Sequence, residues 1–375
     1  MVEGERIVEI IGGGPRAVGP SEVVVNLQGL VIAPGFIDVH MHGVMGIDVL
    51  DGPGAVRRVA ELLPRWGVTA FCPTTIACTP TVLETFLREV GSLRESAAGT
   101  GARILPAHLE SNFINPGYRG AQPLDCLRSG PSANSREARP FSAADVLAVI
   151  QRCRPDVGII TLAPEIDGGM RLLQDFIAAG LRVSLGHSGA TLDQAQEAIA
   201  LGARHATHLF NRMSPMSHRD PGLTGAVLSN DDIAAELICD GQHVHPAVMR
   251  VAIAAKGAAK IMAITDGTAG SGLAVGSRAR LGGQAITVQE VARLDDGTMA
   301  GSVLTMDRAF ARLVAGAGVD LVQAATMCST TPARELALRG HGVIAPGAVA
   351  DLVVLDASLD VRQTWIAGRR VYASE

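Results

Sequence analysis

The feature that most limits the fold is an alternation of short apolar runs and helical patterns between residues 34 and 341. Each run has the length of a buried strand, and stretches such as 81–96 and 192–201 have the period of an amphipathic helix. Strand–helix alternation implies a parallel sheet, and eight such strands match a closed (β/α)8 TIM-type barrel. The predicted strands are 35–40, 68–73, 103–109, 158–163, 181–186, 203–208, 234–239 and 260–265.

Both ends of the chain have the pattern of β structure instead. Near the start, β-prone runs at 7–11 and 23–25 alternate with Gly/Pro turns. A glycine cluster at 12–15 predicts a hairpin turn, because no helix follows it to form a phosphate loop. The C-terminal segment predicts strands at 350–356 and 364–372. We therefore predict a small β-sandwich-like domain from residues 1–33 and 342–375, and a barrel domain at 34–341.

Composition narrows the classes of function. The 375 residues carry a net charge of −5, which favours neither nucleic acid nor an anionic membrane as a partner. The six cysteines are scattered without a Cys-x-x-Cys pair, as expected of buried residues in a reducing compartment. The N-terminus lacks the basic start of a signal peptide, and no uncharged apolar run is long enough to span a membrane. These features predict a soluble cytoplasmic protein.

Each predicted strand ends in or near a polar side chain, and most of these suit metal binding or proton transfer. Because the active sites of such barrels lie at the carboxyl ends of the strands, these residues are expected to meet. Stability alone does not explain why apolar strands end this way. In strand order the residues are His40 and His42, Thr74 and Thr75, Glu110, Glu165, His187, His208, Asp240 and Asp266.

The first strand ends in a His-x-His pair. Residues two apart share one face of a strand, about 6.6–7 Å apart, so both imidazoles can turn to one ion. The pair alone is weak evidence, since either ring could be a hydrogen-bonded core histidine. Imidazole and carboxylate together suit Zn²⁺ or Fe²⁺ better than Ca²⁺ or Mg²⁺. The candidate ligands of one or two divalent ions are His40, His42, Glu110, His187, His208 and Asp266.

The remaining chemistry-bearing residues have simpler interpretations. His108 shares a face with Glu110 and stays ambiguous. The segment GHSGA at 186–190 resembles a serine nucleophile elbow, but its second glycine comes one position early, which disfavours a serine hydrolase. Surface or loop positions are predicted for His205, His218, His245 and His341.

The order of these ligands on a barrel framed by terminal strands resembles the amidohydrolase superfamily. Finer motifs resemble its N-acetylglucosamine-6-phosphate deacetylase family over nearly the whole chain. These motifs are PGFIDVHMHG at 34–43, HLE at 108–110, LGHSGAT at 185–191, THLFNRM at 207–213, RDPGL at 219–223, DGQHV at 240–244, TDG at 265–267, AGSVLTM at 300–306 and PGAVADL at 346–352.

The resemblance implies an enzyme that hydrolyses the acetamide of an N-acetylhexosamine 6-phosphate and works as a homodimer. It implies that Arg219 and His243 contact the sugar phosphate with Asn211 nearby, and that Met306 lines the pocket. The Arg219 contact can come from across the dimer, or Arg219 can be a solvated surface arginine. Gln122 stands where a histidine is expected near the substrate carbonyl.

The two lysines give an independent check on the metal site. Many relatives that cleave cyclic amides bridge two metals with a carbamylated lysine on strand four. Lys256 and Lys260 lie before or at the start of strand eight, so neither can serve. A carboxylate must bridge instead, and Glu110 is the candidate, similar to the glutamate of the deacetylase family.

The predicted mechanism is metal-assisted amide hydrolysis. A bound divalent ion lowers the pKa of water from about 15.7 to about 7. Asp266 is predicted to accept the proton of the attacking water and to pass it to the leaving amine, although a helix N-cap is the alternative role.

Two other functions remain open from the sequence. Ser111 and Asn112 replace the usual Gly-Pro after Glu110. Together with Gln122, they leave open an amidohydrolase that acts on a different N-acyl compound. The third alternative is a non-catalytic barrel kept as a scaffold or binding protein.

Overall fold

The computed structural model describes residues 1–12, 19, 22–96, 99, 101–130 and 140–374, so most of the predicted glycine turn at 12–15 lies outside the described residues. The strands in this part of the chain are β1 (Val2–Glu3), β2 (Arg6–Ile7), β3 (Val31–Pro34), β4 (Phe36–Met41), β5 (Gly43–Val44), β6 (Ile47–Asp48), β7 (Val68–Thr75), β8 (Arg103–Ile104), β9 (Ala107–Glu110), β10 (Val157–Leu162), β11 (Arg182–Leu185), β12 (His205–Ala206), β13 (Ala234–Ile238), β14 (Ile261–Ile264), β15 (Arg278–Leu281), β16 (Gln284–Val288), β17 (Ala292–Leu294), β18 (Leu352–Leu355), β19 (Val361–Ile366) and β20 (Arg369–Ala373).

Eight parallel strands form the barrel predicted from the sequence. Their order is β4-β7-β9-β10-β11-β12-β13-β14, and the ends approach each other where Met41 and Gly267 form a parallel bridge. The third predicted strand is divided into β8 and β9 around Pro106, which has no N–H to donate to a neighbouring strand. The sixth shortens to the two residues of β12. The (β/α)8 prediction is therefore confirmed.

Helices connect the barrel strands and begin at caps that the sequence contains. The α3 and α5 helices start with capping boxes, Ser142 with Asp145 and Thr191 with Gln194. None of the described helices is both long and apolar enough to cross a membrane. The helices are α1 (Ala55–Leu62), α2 (Pro80–Glu95), α3 (Ala143–Arg152), α4 (Gly169–Ala178), α5 (Leu192–Leu201), α6 (Gly222–Ser229), α7 (Pro246–Lys256), α8 (Met306–Ala315), α9 (Leu321–Ala325) and α10 (Thr331–Glu335), with a π-helical turn at Thr326–Thr330.

A four-stranded antiparallel sheet, β20-β19-β18-β3, joins the two ends of the chain. In it Val31 of β3 lies opposite Leu355 of β18, as expected for terminal segments that pair. The strand predicted at 23–25 does not form. Val23 is 89% exposed, so no packing compensates the entropy of ordering an extended segment there.

An antiparallel sheet of β15, β16 and β17, which was not predicted from the sequence, is inserted between β14 and α8. Leu281 and Ile286 pack on Ile76, which follows barrel strand β7. The backbone N–H of Gly282 donates to the Asp48 carboxylate over 2.7 Å. These contacts place the insertion beside the carboxyl ends of the barrel strands.

Candidate active site

The first group of predicted ligands comes from the two barrel strands that close the sheet. His40 is the last but one residue of β4 and His42 directly follows the strand, with their Nε2 atoms 3.3 Å apart. The Asp266 Oδ1 atom lies 3.1 Å from Nε2 of His42 and 3.4 Å from Nε2 of His40. All three residues are buried. These atoms surround one point at the floor of the barrel mouth.

The second group comes from strands β9, β11 and β12. His187 and His208 each lie two residues beyond a strand, and their Nε2 atoms are 3.0 Å apart. The Glu110 Oε1 atom lies 2.7 Å from Nε2 of His187 and 3.0 Å from Nε2 of His208. Its Oε2 atom lies 3.6 Å from Nε2 of His42. Glu110 therefore lies between the two groups.

Two of the imidazoles are oriented by the carbonyl oxygens that their second nitrogens contact. Nδ1 of His42 is 3.1 Å from the Thr74 carbonyl oxygen, and Nδ1 of His187 is 2.8 Å from that of Tyr118. Carbonyl oxygens only accept, so each Nδ1 donates, and in a neutral ring each Nε2 then presents its lone pair to the centre. Facing lone pairs and carboxylates repel unless a cation lies between them. The donor set therefore fits a divalent metal.

The electrostatics of the cluster agree with that fit. Burial alone would raise the pKa of Glu110, but the His187 and His208 imidazoles hold it well below its usual range. Burial would likewise raise the pKa of Asp266, yet His40 and His42 lower it. Both carboxylates are thus ionised and concentrate negative charge where a cation would be held.

Backbone strain is concentrated at the same place. His187, His208 and Asp266 have positive φ angles of 47°, 32° and 49°. Such conformations cost about 1–3 kcal/mol each for residues other than glycine, and they persist only where neighbours enforce them. Here the Asp266 N–H donates to the His40 carbonyl over 2.9 Å, and the His208 N–H to Glu236 Oε2 over 3.2 Å. The strained turns point the ligands inward at the strand ends.

A cavity of about 430 Å³ opens above the cluster. Asn211, His243 and Gln122 line it, as expected for substrate contacts. Nδ1 of His243 lies 2.6 Å from Asp240 Oδ2, and although burial lowers the pKa of His243, this carboxylate raises it above the usual value.

Two predicted substrate contacts are placed elsewhere. Arg219 is exposed on the loop before α6 and does not line the cavity. Met306 is 1% exposed in the hydrophobic core at the start of α8, so core packing replaces the predicted pocket role.

The unusual residues after Glu110 have structural roles. The Ser111 hydroxyl donates to the Thr161 carbonyl over 2.6 Å, and the Asn112 amide donates to the Cys78 and Cys126 carbonyls over 2.8 and 2.7 Å. Neither side chain lines the cavity. Gln122 differs, because its Oε1 accepts from the Ala77 N–H over 2.7 Å and its Nε2 donates to Glu110.

Sequence reasoning missed Glu236, which is 0% exposed in β13 and lies 2.9 Å from His40 Nδ1. A lone carboxylate inside the apolar run Ala-Ala-Glu-Leu-Ile is the available signal, and it lies in the middle of its strand rather than at the end. His205 was also misplaced: it is 0% exposed within β12, 3.5 Å from Glu335, rather than on the surface. The ambiguous His108 is a buried structural residue bonded to the Val39 carbonyl over 3.0 Å.

Comparisons with known proteins show the family of this chain. The sequence profile of the amidohydrolase family matches residues 31–371. An N-acetylglucosamine-6-phosphate deacetylase of Danio rerio is 37% identical, over 93% of this chain and 86% of its own length. An N-acetylgalactosamine-6-phosphate deacetylase of Escherichia coli O157:H7 is 32% identical, over 96% and 93%.

A solved structure agrees as well. The fold superposes with a TM-score of 0.86 on a Mycobacterium smegmatis N-acetyl-D-glucosamine-6-phosphate deacetylase variant in complex with N-acetyl-D-glucosamine-6-phosphate. That protein is 32% identical, and the match covers 99% of this chain and 94% of that one. With the barrel, the ligand cluster and these matches in agreement, the chain belongs to the amidohydrolase family and, within it, to the N-acetylglucosamine-6-phosphate deacetylase family.

Proposed function

We propose that this protein is a metal-dependent hydrolase that removes the acetyl group of N-acetylglucosamine 6-phosphate, giving the amino sugar phosphate and acetate. The observation that carries the proposal is the convergence of six candidate ligands at the floor of a cavity sized for a small substrate, in a chain that matches deacetylases over nearly its whole length. The E. coli relative acts on the galacto epimer, so the epimer is the first alternative to test.

The metal centre is proposed to use His40, His42 and Asp266 on one side and His187 and His208 on the other, with Glu110 between them. When bound, a divalent metal lowers the pKa of water and polarises a carbonyl oxygen. The mixed imidazole and carboxylate donors favour Zn²⁺, with Fe²⁺ as the alternative. Each group has at least three candidate ligands when Glu110 is counted in both, so the chain has residues for one or two ions.

Asp266 is proposed to move the proton. It lines the cavity as an ionised carboxylate, so it can accept a proton from a water molecule bound beside it. Protonated Asp266 can then deliver that proton to the amine nitrogen as the amide bond breaks. Its contact with His42 fixes the carboxylate in position.

The sugar phosphate is proposed to lie along the cavity, with the acetamide at the metal floor. Asn211 and His243 would contact the sugar and its phosphate, and Gln122 would lie near the carbonyl while it holds Glu110. Arg219 would reach the phosphate only from a second subunit, so this contact belongs with a homodimer. A sugar phosphate is charged and does not cross a lipid bilayer unaided, which favours a cytoplasmic enzyme.

A second candidate is deacylation of a different N-acyl compound. It rests on Gln122, since a glutamine cannot exchange a proton with the carbonyl as a histidine can. Ser111 and Asn112 no longer support it, because both side chains bond to backbone carbonyls away from the cavity.

The proposal is tested by elemental analysis of the purified protein together with acetate release from N-acetylglucosamine 6-phosphate and its galacto epimer. We expect stoichiometric metal and acetate release, with Asp266→Asn as the inactive control. Metal-free protein, or acetate release only from an unrelated N-acyl compound, would reject it.

A further inference from the structure

The cavity has a cation that the proposed contacts do not use. Among the described residues that line it, Arg212 is the only arginine or lysine. Its side chain is exposed, and it pairs with no described carboxylate. The floor of the same cavity carries candidate metal ligands, among them Glu110 and Asp266. Arg212 therefore gives the cavity a cationic side chain that is separate from those ligands.

The backbone of Arg212 is held firmly, although its guanidinium forms no ion pair with a described residue. The residue has a φ angle of 50°, in the left-handed region, as do Phe210 at 77° and His208 at 32°. Its carbonyl accepts from the Ser188 N–H over 3.0 Å, which ties it to the residue after His187. Neighbours thus enforce a strained turn next to the ligands, and strain of this kind is concentrated at functional sites.

The opposite loop leaves room for this side chain. Gly120 has a φ angle of 59°, and a Cβ atom there would lie 3.0 Å from Nε and 3.4 Å from Cγ of Arg212. A larger residue would therefore press on the arginine stem. Gly120 and Arg212 both line the cavity, on loops that follow different barrel strands.

We propose that Arg212 is a specificity-determining residue that binds the anionic phosphate of the substrate from within the same chain. The inference rests on the proposed function. An arginine presents a planar fork of N–H donors that matches phosphate oxygens in two parallel hydrogen bonds. Arg212 and the candidate metal ligands line the same cavity, so a phosphate held by the exposed Arg212 orients the substrate with its acetamide towards the floor. Arg219 supplies no such cation within the chain.

The test compares wild type, Arg212→Gln and Arg212→Lys on N-acetylglucosamine 6-phosphate and on N-acetylglucosamine without phosphate. Arg212→Gln should raise KM for the phosphorylated sugar about 10- to 100-fold with kcat little changed. Activity on the neutral sugar and the metal content should stay as in wild type. The KM of Arg212→Lys for the phosphorylated sugar should lie between those of wild type and Arg212→Gln, because lysine keeps the positive charge but lacks the planar fork of donors. Inhibition of wild type by inorganic phosphate should weaken in Arg212→Gln by a similar factor.

The matched control is Arg58→Gln, an exposed arginine on α1 outside the cavity, which should leave every parameter unchanged. If wild type releases no acetate from the sugar phosphate, the proposed function itself is wrong. If wild type is active but Arg212→Gln keeps its KM and its phosphate inhibition, the inference is overturned and the function stands. Equal losses on both sugars would also overturn it, since they indicate a structural role.

Discussion

The two halves of the ligand cluster are built differently. His40 lies inside the barrel, where Nδ1 is 2.9 Å from a Glu236 carboxylate that is itself fully buried. His187 and Glu110 depend on loops instead: Nδ1 of His187 contacts the Tyr118 carbonyl, and Glu110 accepts from Gln122. Nδ1 of His208 has no partner among the described residues. The inner half therefore has a fixed countercharge, whereas the outer half relies on Glu110 and its loop.

This contrast predicts that Glu110→Gln has the largest effect, because Glu110 is the residue that the two halves share. Loss of an outer-shell partner costs about 10–100-fold in metal affinity or activity, so loss of the shared ligand should exceed about 10³-fold in kcat/KM. Elemental analysis should show less metal as well. The control is Glu84→Gln, a carboxylate on α2 bonded to Arg88. Full metal content together with near-wild-type turnover would show that neither half of the cluster depends on Glu110.

The second largest loss of activity is expected for Asp266→Asn. This change removes the proposed proton carrier from the inner half and keeps the shape of the side chain. We expect kcat to fall about 10²–10⁴-fold, the usual contribution of general acid–base catalysis, with a smaller change in KM. Steady-state acetate release and metal content measure the two effects separately. Near-wild-type turnover would eliminate Asp266 as the proton carrier.

Glu236→Gln should weaken only the inner half. Removing the carboxylate behind His40 is expected to lower metal affinity there about 10–100-fold and to leave the outer half unchanged. Titration with a competing chelator would show one weakened class of site. Glu335→Gln is the matched control, because Glu335 lies 3.5 Å from the buried His205 and does not line the cavity. Equal weakening by both variants would mean that the effect is on overall stability.

The smallest expected effect is on the free energy of unfolding, through the pair of Glu335 and His205. Burial raises the pKa of Glu335, but His205 and Arg334 outweigh it and lower the pKa to about 2 from an ordinary 4.5. A depressed carboxylate pKa stabilises the fold above pH 4.5, and this stabilisation is lost as the pH falls towards 2. Urea midpoints of wild type and Glu335→Gln should therefore differ at pH 7, and the difference should shrink below pH 4.5 and disappear as the pH approaches 2. A difference that does not change with pH would contradict the assignment.

The fold and the candidate ligands could be read from the sequence because their signals are local and repeated. Apolar runs of strand length alternate with helical patterns, and ligand types recur where the runs end. The inserted sheet β15–β17 was not predicted, because its short strands gain stability from Ile76 and Asp48, which are distant in sequence. The strand expected at 23–25 failed for the complementary reason, since no partner packs on Val23.

The amino-acid sequence by itself determined the barrel, the paired terminal strands and the six residues that end or follow its strands. Only the tertiary structure decided that Glu110 lies between the two halves, that Glu236 supports His40, and that Arg212 rather than Arg219 lines the cavity. Periodicity along the chain tells which face of a strand is buried. It does not tell which side chains from distant strands and loops approach within 3 Å, because that depends on barrel closure and loop packing.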